Sequence, residues 1–246
     1  MPFTRGAQEA GQSVILVGSG PSLKDTEREL VDLVHSGAKL VTTNGAYHWC
    51  LERNLRPSAQ VILDARATNA RFAEPFVPNC TYFIASQCHP DVWKAVAGRD
   101  RVAIWHAVES EGARAELLNA YYMKRWHGIG GGTTVVSRSI GLLRTLGYLR
   151  FELFGVDSCW MGDQHHAFAQ TENEADRRMK FKVHPIGEEE KSRVFECAPW
   201  HVKQFEDFLQ FIRMAGQHFA LNVHGDGLLA YAMRSSAGVV LSEGEK

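Results

Sequence analysis

Two glycine-rich turns carry the residues of this chain that are best suited to hold an anion. The first glycine turn, residues 18–22, consists of Gly18, Ser19, Gly20, Pro21 and Ser22. The second glycine turn, residues 130–134, consists of Gly130, Gly131, Gly132, Thr133 and Thr134. Glycine has no Cβ, so backbone N–H groups can approach a ligand closely. A helix that begins directly afterwards adds unpaired N–H donors and the positive end of its dipole. Two such turns in one chain indicate a site for a nucleotide phosphate.

The first glycine turn matches neither of two well-known phosphate motifs. No Gly-Lys-Ser/Thr follows it, and the third glycine of the dinucleotide fingerprint is absent. The hydroxyls of Ser19 and Ser22 still add donors beside the glycines. The alternatives are an ordinary tight turn for the first glycine turn and a hinge ahead of a helix for the second.

Two aspartates and an asparagine follow apolar runs that read as strands. Asp64 follows residues 61–63, Asp157 follows the strand at 151–154, and Asn44 ends a third run. Carboxylate oxygens bind Mg²⁺ or accept hydrogen bonds from a ribose. We therefore predict that Asp64 and Asp157 hold Mg²⁺ and that Asn44 orients a base or ribose edge. Turn and cap residues are the alternative for all three.

A polar stretch contains the adjacent pair His165 and His166. We predict that one of them carries a proton or contacts a phosphate. On an extended backbone, adjacent side chains point in opposite directions, which disfavours joint ligation of one metal ion. Trp160 and Phe168 flank the pair and are suited either to stack on a flat heterocycle or to anchor the segment.

Short β-rich runs alternate with helical stretches along the chain. Apolar runs predict strands at residues 14–17, 39–43, 61–63, 81–85, 102–105, 151–154 and 219–223. Helical periodicity predicts helices at residues 23–35, 113–126, 133–146, 200–215 and 227–233. This rhythm predicts a Rossmann-like α/β fold, with a mostly parallel doubly wound sheet and helices on both faces. Ligands of such folds lie beyond the carboxyl ends of the strands.

One domain covering residues 1–246 is the simplest organisation. Between about residues 161 and 193 the pattern gives way to a polar stretch, which we predict to be a lid-like insertion. Loops of that length are usually lids, binding loops or disordered segments. The residues after Ser235 are predicted to be a frayed tail.

The composition excludes several classes of function. A net charge of -1 gives no chain-wide attraction to nucleic acid or to an anionic membrane. No apolar run reaches the ~20 residues of a membrane span, and the N-terminus lacks the apolar core of a secretory signal. The five cysteines form no CxxC pair, which favours reduced thiols. We expect a cytoplasmic protein whose partners are a nucleotide and a small-molecule acceptor, and the sequence leaves a homo-oligomer open.

Taken together, these motifs resemble the MptE-like family. Its type member is an archaeal 6-hydroxymethylpterin diphosphokinase, and the same domain occurs in motility-associated Maf proteins. The resemblance spans roughly residues 13–173. The segments that carry it are VGSGPSL at 17–23, TNG at 43–45, Asp64, GGGTTVVS at 130–137, LGY at 146–148, LFGVDS at 153–158 and HHAF at 165–168.

Part of the same pattern is similar to the bacterial sialyltransferases that use CMP-activated sugars. The Gly-x-Gly-Pro-Ser-Leu opening, the small-residue turn before a helix and the Leu-Gly-Tyr…Gly-x-Asp stretch occur in similar order. This chain has Ser19 where those enzymes usually have Asn, and it has no clear counterpart of their later tyrosines.

Residues and resemblance together predict a transferase that acts at a nucleotide phosphate. In the sharper form, it moves diphosphate from ATP to a hydroxymethylpterin-like acceptor with Mg²⁺ as cofactor. The two glycine turns, Asn44 and Asp64 would bind the nucleotide, and Asp157, His165 and His166 would be catalytic. A glycosyltransferase that uses a CMP- or other nucleotide-activated sugar is the first alternative. A non-catalytic nucleotide-binding protein is the second.

Overall fold

A computed structural model describes residues 11–108, 115, 128–169, 176–215, 219–235 and 238–243. Its strands, in chain order, are β1 (Ser13–Val17), β2 (Lys39–Thr43), β3 (Ala59–Ile62), β4 (Thr81–Ala85), β5 (Val102–Ala107), β6 (Gly128–Ile129), β7 (Arg150–Phe154), β8 (Met179–Pro185), β9 (Arg193–Cys197), β10 (Ala220–Val223) and β11 (Val239–Glu243). Eight of them form one sheet in the order β10-β7-β1-β2-β3-β4-β5-β6, and every neighbouring pair is parallel.

The described helices connect these strands. They are α1 (Leu23–His35), α2 (Ala46–Glu52), α3 (Pro90–Val96), α4 (Val135–Thr145), α5 (Pro199–Ala215) and α6 (Leu228–Met233), with 3₁₀ helices at Ala67–Ala73 and Glu189–Lys191. The helix predicted at residues 113–126 lies outside the described residues except for Ala115, which is helical.

The two faces of the sheet are both buried, which explains the unbroken apolar run of β1. Leu16 lies in the same buried cluster as Ile140 of α4. Its neighbour Ile15 points to the other face and lies in the cluster that contains Leu30 of α1. Since successive strand residues face opposite sides, a strand covered by helices on both faces must be apolar throughout. The predicted Rossmann-like, doubly wound α/β fold is confirmed.

The chain changes direction at the centre of this sheet. From β1 it proceeds through β2 to β6 on one side, and it returns with β7 to the other side of β1. In open parallel sheets, such a reversal opens a crevice beyond the carboxyl ends of the two central strands. The crevice between the ends of β1 and β7 is therefore where a ligand site is expected.

A second, antiparallel sheet has the order β11-β8-β9. The residues after Ser235 were expected to fray, but Val239–Glu243 pairs with Met179–Pro185. The strand β8 was not predicted, although its side chains alternate: Phe181 and Val183 are buried, and Lys180 and Lys182 are exposed. Part of the 161–193 segment is thus regular structure, and its role as a lid stays a prediction.

All five cysteines are buried and have free thiols, as their spacing predicts. Burial raises the pKa of each thiol to about 12. Thiols of that pKa are poor nucleophiles at neutral pH, so none of them is a candidate for catalysis. Within the described ranges, no helix combines the length and apolar character needed to cross a bilayer.

Candidate functional site

A cleft of about 320 Å³ opens at the carboxyl ends of β1, β2, β3 and β7. Each of these strands supplies a polar or small residue to its wall, namely Gly20, Asn44, Asp64 and Asp157. The cleft therefore lies at the reversal point of the sheet. The candidate residues that it brings together are Ser19, Gly20, Asn44, Asp64, Thr133, Thr134, Asp157, His165 and His166. Those that do not line it are Gly18, Pro21, Ser22, Gly130, Gly131 and Gly132.

The first glycine turn is locked to the turn that follows β7. The N–H of Gly18 donates to the carbonyl oxygen of Phe154 at 2.8 Å, and the N–H of Gly20 donates to that of Gly155 at 2.8 Å. The N–H of Ser22 donates to Oδ2 of Asp157 at 2.9 Å. These three N–H groups were expected to face a phosphate. They instead donate hydrogen bonds to acceptors of the protein itself.

The close approach of these two turns explains why glycines stand here. A Cβ on Gly18 would lie 2.5 Å from the carbonyl oxygen of Gly155. A Cβ on Gly20 would lie 2.8 Å from the same oxygen and would also collide with Oδ2 of Asp157. Both glycines are required by contact between backbones, whatever ligand the cleft takes.

The second glycine turn is shaped by its own geometry as well as by the helix that follows it. Thr134 accepts a hydrogen bond from the N–H of Ser137 at 3.1 Å and caps α4. Gly131 and Gly132 adopt left-handed φ angles of 111° and 69°, which favour glycine. Gly130 differs, because a Cβ added there would meet no atom of the described residues within 4 Å.

A buried arginine holds the second glycine turn in place. Nε of Arg138 donates to the carbonyl oxygen of Gly132 at 2.8 Å, and Nη1 donates to those of Ile129, at 2.9 Å, and Val108. Arg138 is 7% exposed. Its guanidinium ties the turn to β6 and to the residue after β5, a role that the sequence analysis did not foresee.

A polar cluster occupies the ends of β2 and β3. Nδ2 of Asn44 donates to Oδ2 of Asp64 at 3.0 Å, and Nδ2 of Asn69 approaches the same oxygen at 3.5 Å. Asn44 adopts a left-handed φ of 44°, which asparagine tolerates better than most residues. Oδ1 of Asn44 is buried and has no hydrogen-bond partner within the described ranges. This cluster offers an acceptor and fixed amides to a ligand edge.

Asp157 is a buried carboxylate in the wall of the cleft. It is 3% exposed, and burial raises its pKa to about 6, against the opposing effect of Ser22, whose backbone N–H donates to Oδ2. Oδ2 accepts from Ser22, whereas Oδ1 has no hydrogen-bond partner among the residues that the structure describes. A buried acceptor of this kind is costly unless something satisfies it, so a ligand hydroxyl, a proton or a cation fits here.

The histidine pair lies against the first glycine turn. The N–H of Ala167 donates to the carbonyl oxygen of Ser19 at 2.9 Å, which brings His165 and His166 to the cleft. Their ring centroids are 4.2 Å apart with planes at 44°. The expectation that the two side chains diverge is wrong, because the backbone bends here and is not extended. The two imidazole rings therefore lie side by side in the wall of the cleft.

The start of α5 adds two aromatic residues that the sequence analysis did not select. Trp200 and His201 line the cleft with ring centroids 3.7 Å apart. Nδ1 of His201 accepts from the N–H of Ala198 at 3.1 Å, so a neutral ring carries its proton on Nε2. Burial, with smaller effects of His165 and His166, lowers the pKa of His201 to about 3. The available signal was an aromatic pair at the start of a predicted helix.

Two arginines of the cleft wall were also missed. Arg66 and Arg71 line it beside Asp64, on and just before the 3₁₀ helix Ala67–Ala73. They follow the strand-end aspartate by only a few residues, which was the signal available in the sequence. Arginine side chains here can contact phosphate oxygens.

The carboxylates of the cleft fit a magnesium ion only together with a substrate. The described residues contain no group of three or more His, Cys, Asp or Glu side chains arranged to hold a metal ion. Protein-bound Mg²⁺ commonly takes one or two carboxylates and completes its shell with phosphates and water. Asp157, with its unsatisfied Oδ1, fits that pattern. Asp64 is a second donor on the cleft wall.

The fold and the cleft define a Rossmann-like α/β protein with a ligand site at the carboxyl edge of its sheet. The chain belongs to the MptE-like family, described as 6-hydroxymethylpterin diphosphokinase MptE-like, whose profile matches residues 3–163. The match includes both glycine turns, Asn44, Asp64 and Asp157, and it ends before His165. No curated protein matches the chain.

A solved structure of a longer protein shares the fold. It is titled as that of a MAf glycosyltransferase from Magnetospirillum magneticum AMB-1, and it superposes with a TM-score of 0.65 at 16% sequence identity. The similarity covers 96% of this chain but 36% of that chain, so this chain spans little more than a third of its neighbour. At this level of identity, the similarity shows a shared fold.

Proposed function

We propose that this chain is a glycosyltransferase that cleaves a nucleotide-activated sugar at the bond between the anomeric carbon of the sugar and the nucleotide phosphate. The proposal rests on one observation. The cleft at the reversal point of the sheet places a buried carboxylate, Asp157, in the same wall as the pair His165 and His166. A proton acceptor and a polar binding surface are the parts that glycosyl transfer requires.

The cleft offers distinct places for the parts of a nucleotide. The cluster of Asn44, Asp64 and Asn69 suits the hydroxyls of a ribose or the edge of a base. Thr133 is exposed on the cleft wall just before α4, where a helix N-terminus favours an anion. The phosphate is therefore assigned to the second glycine turn.

The charges of the cleft favour a donor with little negative charge. The charged side chains among its described lining residues, leaving histidine aside, are Arg66, Arg71, Asp64 and Asp157, and their formal charges cancel. A sugar linked to a nucleoside monophosphate carries far less negative charge than ATP. It needs fewer cations to neutralise it in a partly enclosed site.

The chemistry follows from the histidine pair. The oxygen of an acceptor hydroxyl bonds to the anomeric carbon, and the bond from that carbon to the phosphate oxygen breaks. The electron pair leaves with the nucleotide phosphate, and His165 or His166 takes the proton of the hydroxyl. Asp157 accepts a hydrogen bond through its unsatisfied Oδ1. A bound Mg²⁺, held by Asp64 and Asp157, would neutralise charge on the departing phosphate.

A diphosphokinase is the second candidate, and the description of the family favours it. The acceptor oxygen would then bond to the β-phosphorus of ATP, and AMP would leave. The same histidines would take the proton, but the cleft would have to accommodate a triphosphate. Mg²⁺ is therefore essential if the chain is a diphosphokinase and optional if it is a glycosyltransferase.

A panel of donors separates these candidates. CMP, UDP and GDP sugars are compared with ATP and Mg²⁺, first by thermal shift and then by product formation. A ligand at ~100 times its dissociation constant stabilises the folded state by about 2.7 kcal/mol. Stabilisation by a nucleotide sugar, followed by its cleavage, supports the proposal. Release of AMP that depends on hydroxymethyldihydropterin supports the diphosphokinase, and binding without turnover supports a nucleotide-binding protein. A chain that binds none of these nucleotides overturns the proposal.

A further inference from the structure

A second cavity of about 430 Å³ meets the cleft at the histidine pair. His165 and His166 belong to the walls of both cavities. The other side chains of the second cavity come from the start of α1, from the segment around the histidines and from the residue before β8. They are Lys24, Trp160, Asp163, Gln164, Ala167, Phe168, Ala169 and Arg178.

Lys24 is the cation of this cavity that is most available to a ligand. Its Nζ donates to Oε1 of Gln164 at 2.5 Å, and that partner is a neutral amide. Arg178 is instead ion-paired with Asp163 at 3.1 Å and lies 3.8 Å from a carboxylate oxygen of Glu196. Lys24 stands in the first turn of α1, where the helix dipole disfavours a positive charge. Helix stability therefore does not account for a lysine at this position.

Aromatic side chains line the cavity. Trp160 is 6% exposed, and the guanidinium of Arg178 stacks on its ring at 3.9 Å from the centroid. The rings of His166 and Phe168 are nearly parallel, with planes at 15° and centroids 6.3 Å apart. Flat apolar surfaces beside cations and hydrogen-bonding groups suit a sugar ring that carries a charge.

We propose that the second cavity is the acceptor subsite of the transferase and that it takes an acidic sugar. Lys24 binds the anionic group of the acceptor, and the rings of His166 and Phe168 contact the sugar ring. The nucleophilic hydroxyl then points to His165 and His166, on whose other side the donor lies. The assignment rests on the proposed function, because it takes the neighbouring cleft as the donor site.

Matched sugars test the charge preference. Binding of glucuronate, glucose 6-phosphate and glucose to the full chain is measured by saturation-transfer NMR, with CMP and ATP as separate probes of the cleft. We expect at least one acidic sugar to bind about fivefold more tightly than glucose, as one partly exposed charge contact allows. Preference for glucuronate identifies a carboxylate as the anion, and preference for glucose 6-phosphate identifies a phosphate.

Variants of Lys24 assign the preference to this cavity. Lys24→Gln should abolish it, and Lys24→Arg should retain most of it, with nucleotide binding unchanged in both. Lys94→Gln is the control, because Lys94 is exposed and ion-paired with Asp91 on α3. Equal binding of acidic and neutral sugars, or an acidic preference that survives Lys24→Gln, overturns the subsite. If the sugars behave as expected while no nucleotide binds, the subsite stands and the donor assignment fails.

Discussion

The backbone N–H of Ser22 and Oδ2 of Asp157 lie 2.9 Å apart and join two turns separated by 135 positions in the chain. This bond fixes the first glycine turn to Asp157, three residues after the end of β7. It also withdraws one oxygen of the carboxylate from the cleft and leaves the other, Oδ1, without a partner in the described part of the chain. Asp157 is therefore both a structural residue and a candidate ligand contact, and its variants report on both roles.

The first prediction concerns the pH dependence of stability through Asp157. Its pKa in the folded protein, about 6, lies above the ordinary value of 3.8. The folded state therefore binds the proton more tightly than the unfolded state does. The stability that the proton contributes is fully present below pH 3.8 and is lost as the pH rises through about 6. In Asp157→Asn this loss is absent. Between pH 4 and 7, its free energy of unfolding should rise by up to about 3 kcal/mol relative to the wild type.

Chemical denaturation at pH 4, 5, 6 and 7 measures this difference. Asp100→Asn is the control for removal of an exposed carboxylate. A difference between Asp157→Asn and the wild type that stays constant over this range would show that the carboxyl titrates normally.

The second prediction compares two glycines of the site. Gly20→Ala places a Cβ against Oδ2 of Asp157 and the carbonyl oxygen of Gly155, and overpacking of this kind costs about 1–3 kcal/mol. In Gly130→Ala the added Cβ meets no atom within 4 Å in the described part of the chain, so the free energy of unfolding should be nearly unchanged. Urea denaturation measures both variants.

Gly130→Ala also tests the second glycine turn as a phosphate site. Gly130 does not line the cleft, whereas Thr133 and Thr134 do, so Gly130→Ala should bind nucleotide within twofold of the wild-type affinity. A tenfold loss of affinity in this variant would show that the phosphate lies deeper in the turn, at Gly130.

The third prediction concerns the histidine pair. If one imidazole takes the acceptor proton, His165→Gln or His166→Gln should lower kcat by about 10²–10⁴-fold and leave nucleotide affinity within twofold. Steady-state kinetics and calorimetry measure the two quantities. His35→Gln, at the exposed end of α1, is the control. Full activity in both pair variants would assign the proton transfer to another group.

The fourth prediction concerns His201. Its pKa of about 3 lies below the ordinary 6.5, so its contribution to stability is present above pH 6.5 and is lost as the pH falls toward 3. Glutamine at this position can still accept from the N–H of Ala198, as in a capping box. Below pH 6.5, the free energy of unfolding of His201→Gln should rise relative to that of the wild type by about 1.4 kcal/mol for each unit by which the pH falls.

NMR of the imidazole gives an independent measurement for His201. We expect a neutral ring with its proton on Nε2 from pH 7 to pH 4, because Nδ1 accepts a hydrogen bond. A ring that becomes charged near pH 6 would contradict the burial of His201. Since Asp157 and His201 change stability in opposite directions between pH 4 and 6, only the two variants separate them.

The main sheet was predictable because each strand is a short apolar run followed by a turn. The period of two in β8 was overlooked within a segment rich in charge, where Phe181 and Val183 alternate with lysines. The strand at Val239–Glu243 depends on pairing with β8, so it follows only once β8 is recognised.

The site was predictable where chemistry follows a strand end. Gly20, Asn44, Asp64 and Asp157 converge because the carboxyl ends of parallel strands meet at one edge of a sheet. The use of the first glycine turn was not predictable, because its N–H groups are engaged by residues more than a hundred positions away. Trp200 and His201 reach the cleft through the packing of α5, which local sequence does not encode.

The buried guanidinium of Arg138 supports the second glycine turn with a charge that does not vary with pH. An arginine side chain does not lose its proton in proteins. In surroundings of low permittivity, its field is weakly screened by solvent ions. The carbonyl groups of Gly132 and Ile129 turn toward it. These hydrogen bonds consequently persist from acid to alkaline solution, so the shape of the second glycine turn should change little with pH or with salt concentration.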